Sequence, residues 1–313
     1  MILALAGGVG GARLAQGLAA VLAPQQLTVA VNVGDDFEHL GLYIAPDLDT
    51  VMYTLAGVHN PQTGWGRADE TWQFMDTLAR LGGETWFRLG DRDLAVHVER
   101  THRLRSGAAL SAITTDLCTR FAIAHAVVPA TDDRLRTLVH TDAGTLAFQD
   151  YFVRQRCEPV LRSVEFDGAN TARASAPLAA LLAGDAIEGV VLCPSNPWLS
   201  IAPVLAIPAL AQWLDARRVP VVAVSPIVAG AAVKGPAGKI MRELGLPVEV
   251  EAIVAHYGAR VDGWVIDQRD ARYAATIEGD GHPVAVVDTL MSSPHRAAAL
   301  AQAALQLLQS LRR

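Results

Sequence analysis

The first 33 residues predict a strand, a glycine-rich turn, a helix and a second strand. Residues 2–6 are a short apolar run that ends in glycines, residues 12–22 have apolar positions at helical spacing, and residues 27–33 (LTVAVNV) form a second apolar run. Both strands are apolar almost throughout, which is typical of central parallel strands covered on both faces. We therefore expect an α/β fold that opens with a βαβ unit.

The rest of the chain continues this alternation, with one change of character. Two β-rich runs, 134–141 and 145–153, flank a turn that contains Asp142 and Gly144, which predicts a hairpin. We expect one Rossmann-like domain over residues 1–313, with a doubly wound, mainly parallel sheet and a β-containing insertion at roughly 130–175. Helices are expected at 51–57, 70–81, 108–121, 204–216, 237–244 and 293–311, and further strands in GVVLCPSNP, VPVVAVSPI, GWVID and PVAVVD.

Composition and charge argue against several classes of protein. There are 32 acidic and 26 basic residues, a net charge of −6, and the basic residues are scattered, which argues against nucleic acid as a partner. The three cysteines lie far apart, so they predict neither a metal site nor a disulfide framework. No apolar run reaches the roughly 18 residues of a membrane helix, and the N-terminus lacks a basic segment. We expect a cytoplasmic protein without membrane association.

The glycine-rich turn GGVGGAR follows the first strand. Arg13 stands where the dinucleotide fingerprint needs its third glycine, and the phosphate-loop motif is not matched either. Backbone N–H groups at Gly7, Gly8, Gly10 and Gly11, with the helix dipole and Arg13, would still bind an anion, so we predict a phosphate site. The alternative is a turn that uses glycine for steric reasons only.

An acidic stretch, GDDFEHLGLYIAPDLDT, follows the second strand. Asp35 and Asp36 are expected at the carboxyl edge of the sheet, where such folds bind ligands. Asp47 and Asp49 come just before a predicted helix, and the alternative is that they only cap it. Four carboxylates near a phosphate site repel one another unless a cation lies between them, and Mg²⁺ suits such a set.

Three later polar stretches are further candidates for ligand binding. Arg88 and Arg92 in WFRLGDRDLAVH would grip an anionic or planar ligand, or belong to a solvated loop of paired charges. Ser195 and Asn196 in CPSNPWLS offer hydrogen bonds to a ligand, or form a turn with an N-cap. Lys234, one of only two lysines, is predicted to meet a phosphate from a glycine-rich loop.

These five stretches, in this order, resemble the 2-phospho-L-lactate transferases of coenzyme F420 biosynthesis, the CofD or FbiA family. The resemblance runs from the first strand to about Met291. It implies a phosphotransferase that moves a phosphorylated three-carbon acid from its guanosine diphosphate conjugate to the ribityl hydroxyl of Fo, the 8-hydroxy-5-deazaflavin precursor, with release of GMP. It also implies a homodimer.

The resemblance also implies roles for individual residues. The positions of the family that bind Fo fall on Asp49 and Arg88, and we expect Asp49 to orient the hydroxyl or take its proton. We predict that Mg²⁺ is held by some of Asp35, Asp47 and Asp49; if Asp49 binds metal, the base is unassigned. From position and chemistry, and not from the resemblance, the other predicted substrate contacts are Gly7, Gly8, Gly10, Gly11, Arg13, Asp36, Arg92, Ser195, Asn196 and Lys234.

Two questions stay open at this level. The acid carried by the donor is phospholactate, phosphoenolpyruvate or phosphoglycerate, and no residue decides among them. The main alternative function is a non-catalytic regulatory protein that binds nucleotide sugars, since a related group shares a similar glycine-rich opening. An NAD-dependent enzyme is disfavoured by the broken fingerprint and by Asn32 near the place of the ribose-binding acid.

Overall fold

The central element is a seven-stranded parallel sheet with the order β14-β13-β10-β9-β1-β2-β5. A computed structural model of the protein describes residues 1–216 and 219–312. In chain order the strands are β1 (Ile2–Ala6), β2 (Leu27–Val31), β3 (Phe37–His39), β4 (Leu42–Ile44), β5 (Ala126–Pro129), β6 (Arg136–Thr141), β7 (Gly144–Ala147), β8 (Leu161–Asp167), β9 (Gly189–Leu192), β10 (Val221–Val224), β11 (Ile227–Val228), β12 (Ala231–Ala232), β13 (Gly263–Asp267) and β14 (Val284–Val287).

Helices cover both faces of this sheet, and its inner strands are fully buried. The helices are α1 (Gly8–Val21), α2 (Pro46–Leu55), α3 (Gln73–Arg80), α4 (Asp91–Arg105), α5 (Leu110–Arg120), α6 (Ala176–Ala183), α7 (Ala202–Leu205), α8 (Pro208–Ala216), α9 (Ala237–Glu243), α10 (Val250–Tyr257), α11 (Ala274–Gly279) and α12 (Pro294–Ser310).

The sheet is doubly wound, which confirms the predicted fold class. After β1 the chain moves outward through β2 to β5, and it then returns to β9 on the other side of β1 and continues to β14. The order therefore reverses between β1 and β9, and folds of this type bind ligands in the crevice beyond the carboxyl ends of such strands. The turns after β1, β2 and β9 carry the glycine, acidic and CPSNP stretches.

The β-rich segment at 130–175 contains a three-stranded antiparallel sheet in the order β7-β6-β8. The predicted hairpin is present, since β6 pairs with β7 across the Asp142–Gly144 turn. Its second half differs from the prediction: Asp150–Arg154 forms a single π-helical turn rather than strand. Aromatic and β-branched residues favour strands, and this local preference was misleading here.

Two helix predictions need correction, and one helix was not predicted. The helix expected at 51–57 begins at Pro46, so Asp47 and Asp49 lie inside its first turn rather than before it. The helix expected at 204–216 is two helices, α7 and α8, because Pro208 begins a new one. The charges at 88–93 are interpreted from sequence as a solvated loop or as ligand contacts, and no helix is predicted there; residues 91–105 form the fifteen-residue helix α4.

No single helix in residues 1–216 and 219–312 is long and apolar enough to cross a membrane. One pair of segments, Pro197–Leu205 and Pro208–Ala216, passes the same criteria of length and composition only when taken together, with a bend of 86°.

Helix α1 crosses α12 at a glycine. A Cβ atom on Gly17 would lie 2.1 Å from the carbonyl oxygen of Ala297, so only glycine allows the two backbones to meet at this distance. Gly17 is buried and Ala297 is only 1% exposed, so neither helix can shift without opening the core.

We predict that Gly17→Ala lowers the free energy of unfolding by about 1–3 kcal/mol, the usual cost of overpacking a core. Gly279→Ala is the matched control: Gly279 is also helical, nothing lies within 4 Å of its added Cβ, and alanine should be neutral or slightly stabilising. Urea unfolding of the two variants measures the difference. Equal stability of both would contradict the close contact between α1 and α12.

Candidate functional site

The first turn of α1 packs directly against the acidic and CPSNP stretches. The Gly8 N–H donates to Asp47 Oδ1 at 2.8 Å, and the Gly7 N–H donates to Ser195 Oγ at 3.1 Å. A Cβ on Gly7 would lie 2.5 Å from Asp47 Oδ2, and one on Gly10 would lie 2.2 Å from the Pro194 carbonyl oxygen. The steric reading of the glycines therefore has direct support.

Phosphate binding at this turn stays a prediction, and fewer backbone N–H groups are available for it than the sequence suggests. Protein groups already use the N–H groups of Gly7 and Gly8. The N–H groups of Val9 and Gly10 lie in the first turn of α1, where a helix supplies no acceptor of its own, so they are the ones left for an anion.

Asp35 and Asp47 are neighbouring buried carboxylates. Asp47 also accepts a hydrogen bond from Asn32 Nδ2 at 3.0 Å, and burial raises its pKa to about 6. Burial and the charge of Asp47 raise the pKa of Asp35 well above its usual value. Asp35 Oδ1 is buried and has no hydrogen-bond partner among the described residues. A positive charge near Asp35 and Asp47 would therefore stabilise their ionised forms.

Asp36 is buried beside Tyr43, within electrostatic range of Asp49 and Arg100. Its Oδ2 accepts the Tyr43 hydroxyl at 2.7 Å, and the guanidinium of Arg136 lies 5.4 Å from the centre of the Tyr43 ring. Burial raises the pKa of Asp36 to about 7, although Arg136 and the tyrosine hydroxyl oppose the shift. Asp36 is therefore largely protonated in mildly acidic solution.

Asp49 belongs to a different group of side chains, supplied by α4. Both of its oxygens accept from the guanidinium of Arg100, which is only 1% exposed. Arg100 Nη1 also lies 3.3 Å from His97 Nδ1. Nε2 faces Asp93 Oδ1 at 3.3 Å, and the Tyr53 hydroxyl donates to the same oxygen at 2.6 Å.

The three residues proposed for Mg²⁺ do not form one group. Among the described residues, the one set of three whose ligand atoms lie within 4.8 Å of one another is Asp49, Asp93 and His97. Asp47 and Asp49 are two positions apart on α2, so they point to different sides of the helix. A bidentate pairing with Arg100 also leaves Asp49 little negative charge for a cation.

Sequence reasoning missed Arg100 and His97 and considered Asp93 only as part of a charged loop. Their spacing, with His97 four residues after Asp93 and Arg100 three residues later, places them on one face of a helix. That signal is usable only once residues 91–105 are recognised as helical.

A cavity of about 290 Å³ lies beside this group. Its wall includes Arg88, whose guanidinium lies 4.2 Å from the centre of the Trp72 ring, a cation–π distance. Asp93 lines the cavity, whereas Asp49 is not one of its wall residues. The described residues that line the cavity are Asn60, Thr63, Trp65, Gly66, Arg67, Glu70, Trp72, Arg88, Gly90 and Asp93.

The cavity adjoins the glycine turn. A Cβ on Gly64 would lie 2.7 Å from Val9 Cγ1, so the 60–66 loop packs on the first turn of α1. Lys234 Nζ donates to the carbonyl oxygen of Thr63 at 2.9 Å, and this exposed lysine therefore holds the same loop. Its predicted phosphate contact is untested.

The remaining predicted residues have the following positions. Arg92 is exposed in the first turn of α4, where its backbone N–H donates to Glu70 at 2.7 Å. Arg13 Nη1 donates to the Met291 carbonyl oxygen at 3.4 Å. Asn196 Oδ1 caps the turn that follows it, as its alternative reading held, while its buried Nδ2 has no partner among the described residues.

Comparison with known proteins identifies relatives along the whole chain. The family model described as 2-phospho-L-lactate transferase CofD matches residues 2–302. A phosphoenolpyruvate transferase of Kitasatospora aureofaciens is 41% identical over 319 residues, covering 99% of this chain and 98% of the relative. Two proteins of the same name are also 41% identical. For the one from Mycobacterium ulcerans the match covers 97% of this chain and 97% of the relative, and for the one from Thermobifida fusca it covers 99% of this chain and 98% of the relative.

A solved structure supports the fold alone. A member of the UPF0052 family from Bacillus halodurans superposes with a TM-score of 0.64 at 13% sequence identity, covering 97% of this chain and 98% of that one.

We predict that Asp36→Asn makes the stability less dependent on pH. A carboxyl group whose pKa rises from 3.8 to about 7 on folding adds stability below about pH 4, and this is lost as the pH rises through 7. Between about pH 4 and 7 the free energy of unfolding of the variant should therefore rise relative to that of wild type by on the order of 2–4 kcal/mol. Urea unfolding without divalent cations, with exposed Asp185→Asn as control, measures this. Parallel pH profiles for wild type and Asp36→Asn would refute the buried acid.

Proposed function

Because the chain belongs to the 2-phospho-L-lactate transferase (CofD) family, we propose that it transfers a phosphorylated three-carbon acid from its guanosine diphosphate conjugate to the ribityl hydroxyl of Fo, releasing GMP. Of the three donor acids, phosphoenolpyruvate is favoured, since relatives at 41% identity carry the name phosphoenolpyruvate transferase. Proteins this similar over their full lengths usually share a substrate class.

The observation that carries the proposal is the cavity beside the glycine turn. The stacked pair of Arg88 and Trp72, together with Trp65, offers flat surfaces to a planar ring system such as a deazaflavin. At about 290 Å³ the cavity is near the lower end of the ~300–1,000 Å³ typical of small-molecule sites, so it suits the ring and leaves the ribityl chain to extend outward. Because Gly64 packs on Val9, the N–H groups predicted to bind phosphate lie close to this cavity.

The transfer needs a hydroxyl oxygen brought to phosphorus and a group that receives its proton. The new bond joins the ribityl oxygen to the phosphorus that carries the acid, and the bond from this phosphorus to the bridging oxygen breaks, so that GMP leaves with the bond's electron pair. A carboxylate accepts the hydroxyl proton. Asp49 is the residue predicted for this role; Asp93 is a second candidate, because it lines the cavity and Asp49 does not.

The pairing with Arg100 gives Asp49 a further role in this scheme. Through Arg100 and His97, Asp49 fixes the ring orientation that presents Nε2 to Asp93. Burial raises the pKa of Asp93, but hydrogen bonding and charge from His97, Tyr53 and Arg100 outweigh it and hold the pKa below its usual value. Asp93 is thus kept ionised and ready to accept a hydrogen bond from a hydroxyl.

The residues present fit a Mg²⁺ site at Asp35 and Asp47 better than one that includes Asp49. Asp35 has a buried oxygen without a hydrogen-bond partner among the described residues, and burial is the main cause that raises the pKa of both carboxylates. Carboxylate oxygens are the ligands that Mg²⁺ prefers. When bound, the ion supplies positive charge beside the diphosphate of the donor. Asp35 and Asp47 would hold it, and Val9 and Gly10 would donate their N–H groups to the phosphates.

The transfer itself is tested with purified protein, Mg²⁺, Fo and the guanylylated form of each of the three acids. We expect a phosphodiester of Fo and equimolar GMP by mass spectrometry, with the highest turnover for the phosphoenolpyruvate conjugate. Arg88→Met should raise the KM for Fo, because it removes the guanidinium from the cavity wall. Failure of all three donors, with binding of a nucleotide sugar, would replace the proposal by the non-catalytic alternative.

The metal assignment predicts the behaviour of Asp35→Asn. Loss of one ligand should raise the Mg²⁺ concentration needed for half-maximal activity by at least roughly 10–100-fold, the range known for outer-shell partners alone. Exposed Asp185→Asn is the control and should match wild type. An unchanged Mg²⁺ requirement in Asp35→Asn would place the metal elsewhere.

A further inference from the structure

Arg67 is a half-buried arginine on the wall of the cavity and has no part in the transfer scheme. Its Nε is buried without a hydrogen-bond partner, and no ion pair or hydrogen bond of its side chain occurs within residues 1–216 and 219–312. The guanidinium carbon lies 5.7 Å from the centre of the Tyr53 ring and 5.3 Å from that of Phe121. The aromatic rings hold the side chain in place but do not satisfy its N–H groups.

The backbone around Arg67 is held as well. Arg67 and His59 form an antiparallel bridge, and the Asn60 N–H donates to the Gly66 carbonyl oxygen at 3.0 Å, so the 60–66 loop closes on itself. The loop presents Trp65, which is 53% exposed, at the cavity. Arg67 is therefore held at a fixed position on the cavity wall, close in sequence to the exposed ring of Trp65.

The other charged groups of the cavity are already engaged. Glu70 accepts the backbone N–H groups of Arg92 and Asp93 at 2.7 and 2.8 Å, and Asp93 accepts from Tyr53. Arg88 lies on the ring of Trp72. The charge of Arg67 opposes the rise in the pKa of Glu70, but within residues 1–216 and 219–312 no carboxylate forms an ion pair or hydrogen bond with Arg67. An anionic oxygen in the cavity would supply this missing hydrogen-bond partner.

We propose that Arg67 binds the ionised phenolic oxygen of the acceptor's ring. The inference rests on the proposed function, in which the acceptor is an 8-hydroxy-5-deazaflavin. Its phenol is conjugated through the ring to carbonyl groups and is therefore acidic, so its oxygen is the one that carries negative charge near neutral pH. Arg67 thus selects a ring with an ionisable oxygen, and Arg88 with Trp72 supplies a stacking surface for the ring.

Titration of Fo without donor or divalent cation tests the proposal, with fluorescence for affinity and absorption for the ionisation state of the phenol. The charged groups that face the ring are Arg67, Arg88, Glu70 and Asp93. In wild type, bound Fo should stay ionised to a pH lower by about 1–3 units than free Fo, the usual effect of a guanidinium neighbour. Arg67→Met should abolish this difference and weaken binding roughly 10–100-fold.

Two further variants separate the charge of Arg67 from its packing. Arg67→Lys keeps the charge and should retain most of the shift in phenol ionisation, even if the change of shape weakens binding. Arg80→Met removes an exposed arginine of α3 and should match wild type in both measurements. Thermal unfolding by circular dichroism verifies that each variant is folded.

The outcomes are distinguishable. If wild type binds Fo and Arg67→Met binds it equally, with the same phenol ionisation, the role of Arg67 is overturned and the proposed function stands. If Arg67→Met weakens binding but leaves the phenol ionisation unchanged, the phenolic contact is overturned. If wild type does not bind Fo at all, the proposed acceptor and the role of Arg67 both fall.

Discussion

The carboxylate of Asp47 is the contact on which the site depends. It accepts from the Gly8 N–H at the start of α1 and from Asn32 just beyond β2, and it lies in the first turn of α2. One buried side chain therefore joins the elements that follow β1 and β2, and its proximity requires glycine at position 7. A carboxylate is favourable at a helix N-terminus. Burial nevertheless raises the pKa of Asp47 to about 6, so a cation beside it would stabilise the ionised form.

Four of the acidic residues divide into two groups with different chemistry. Asp35 and Asp47 lie at the glycine turn with little compensation, which suits a divalent cation and a diphosphate. Asp49 and Asp93 lie beside a buried arginine and a buried histidine, which suits the positioning of a hydroxyl. The two groups are on opposite sides of one turn of α2, and the 60–66 loop spans from the cavity to the glycine turn. The sites proposed for donor and acceptor are thus separate but adjoining.

Sequence alone predicted the sheet well, because its strands are continuous apolar runs that only a doubly covered parallel sheet accommodates. It failed for α4, since the buried face of that helix includes His97, Arg100 and Thr101, and the apolar periodicity of a helix is missing there. Sequence alone also could not predict that Asp47 and Asp49 belong to different groups of side chains, because this depends on where α2 begins. The cavity could not be predicted, because it is made by loops whose packing no local pattern specifies.

The division of the site into a metal side and an acceptor side is tested most directly by Fo binding in the absence of divalent cations. Asp35→Asn should bind Fo with the affinity of wild type, whereas Asp49→Asn should bind it more weakly, since Arg100 and His97 would lose the anion that orients them. Equal weakening by both substitutions would contradict the account, because it would mean that one undivided acidic site holds both metal and acceptor.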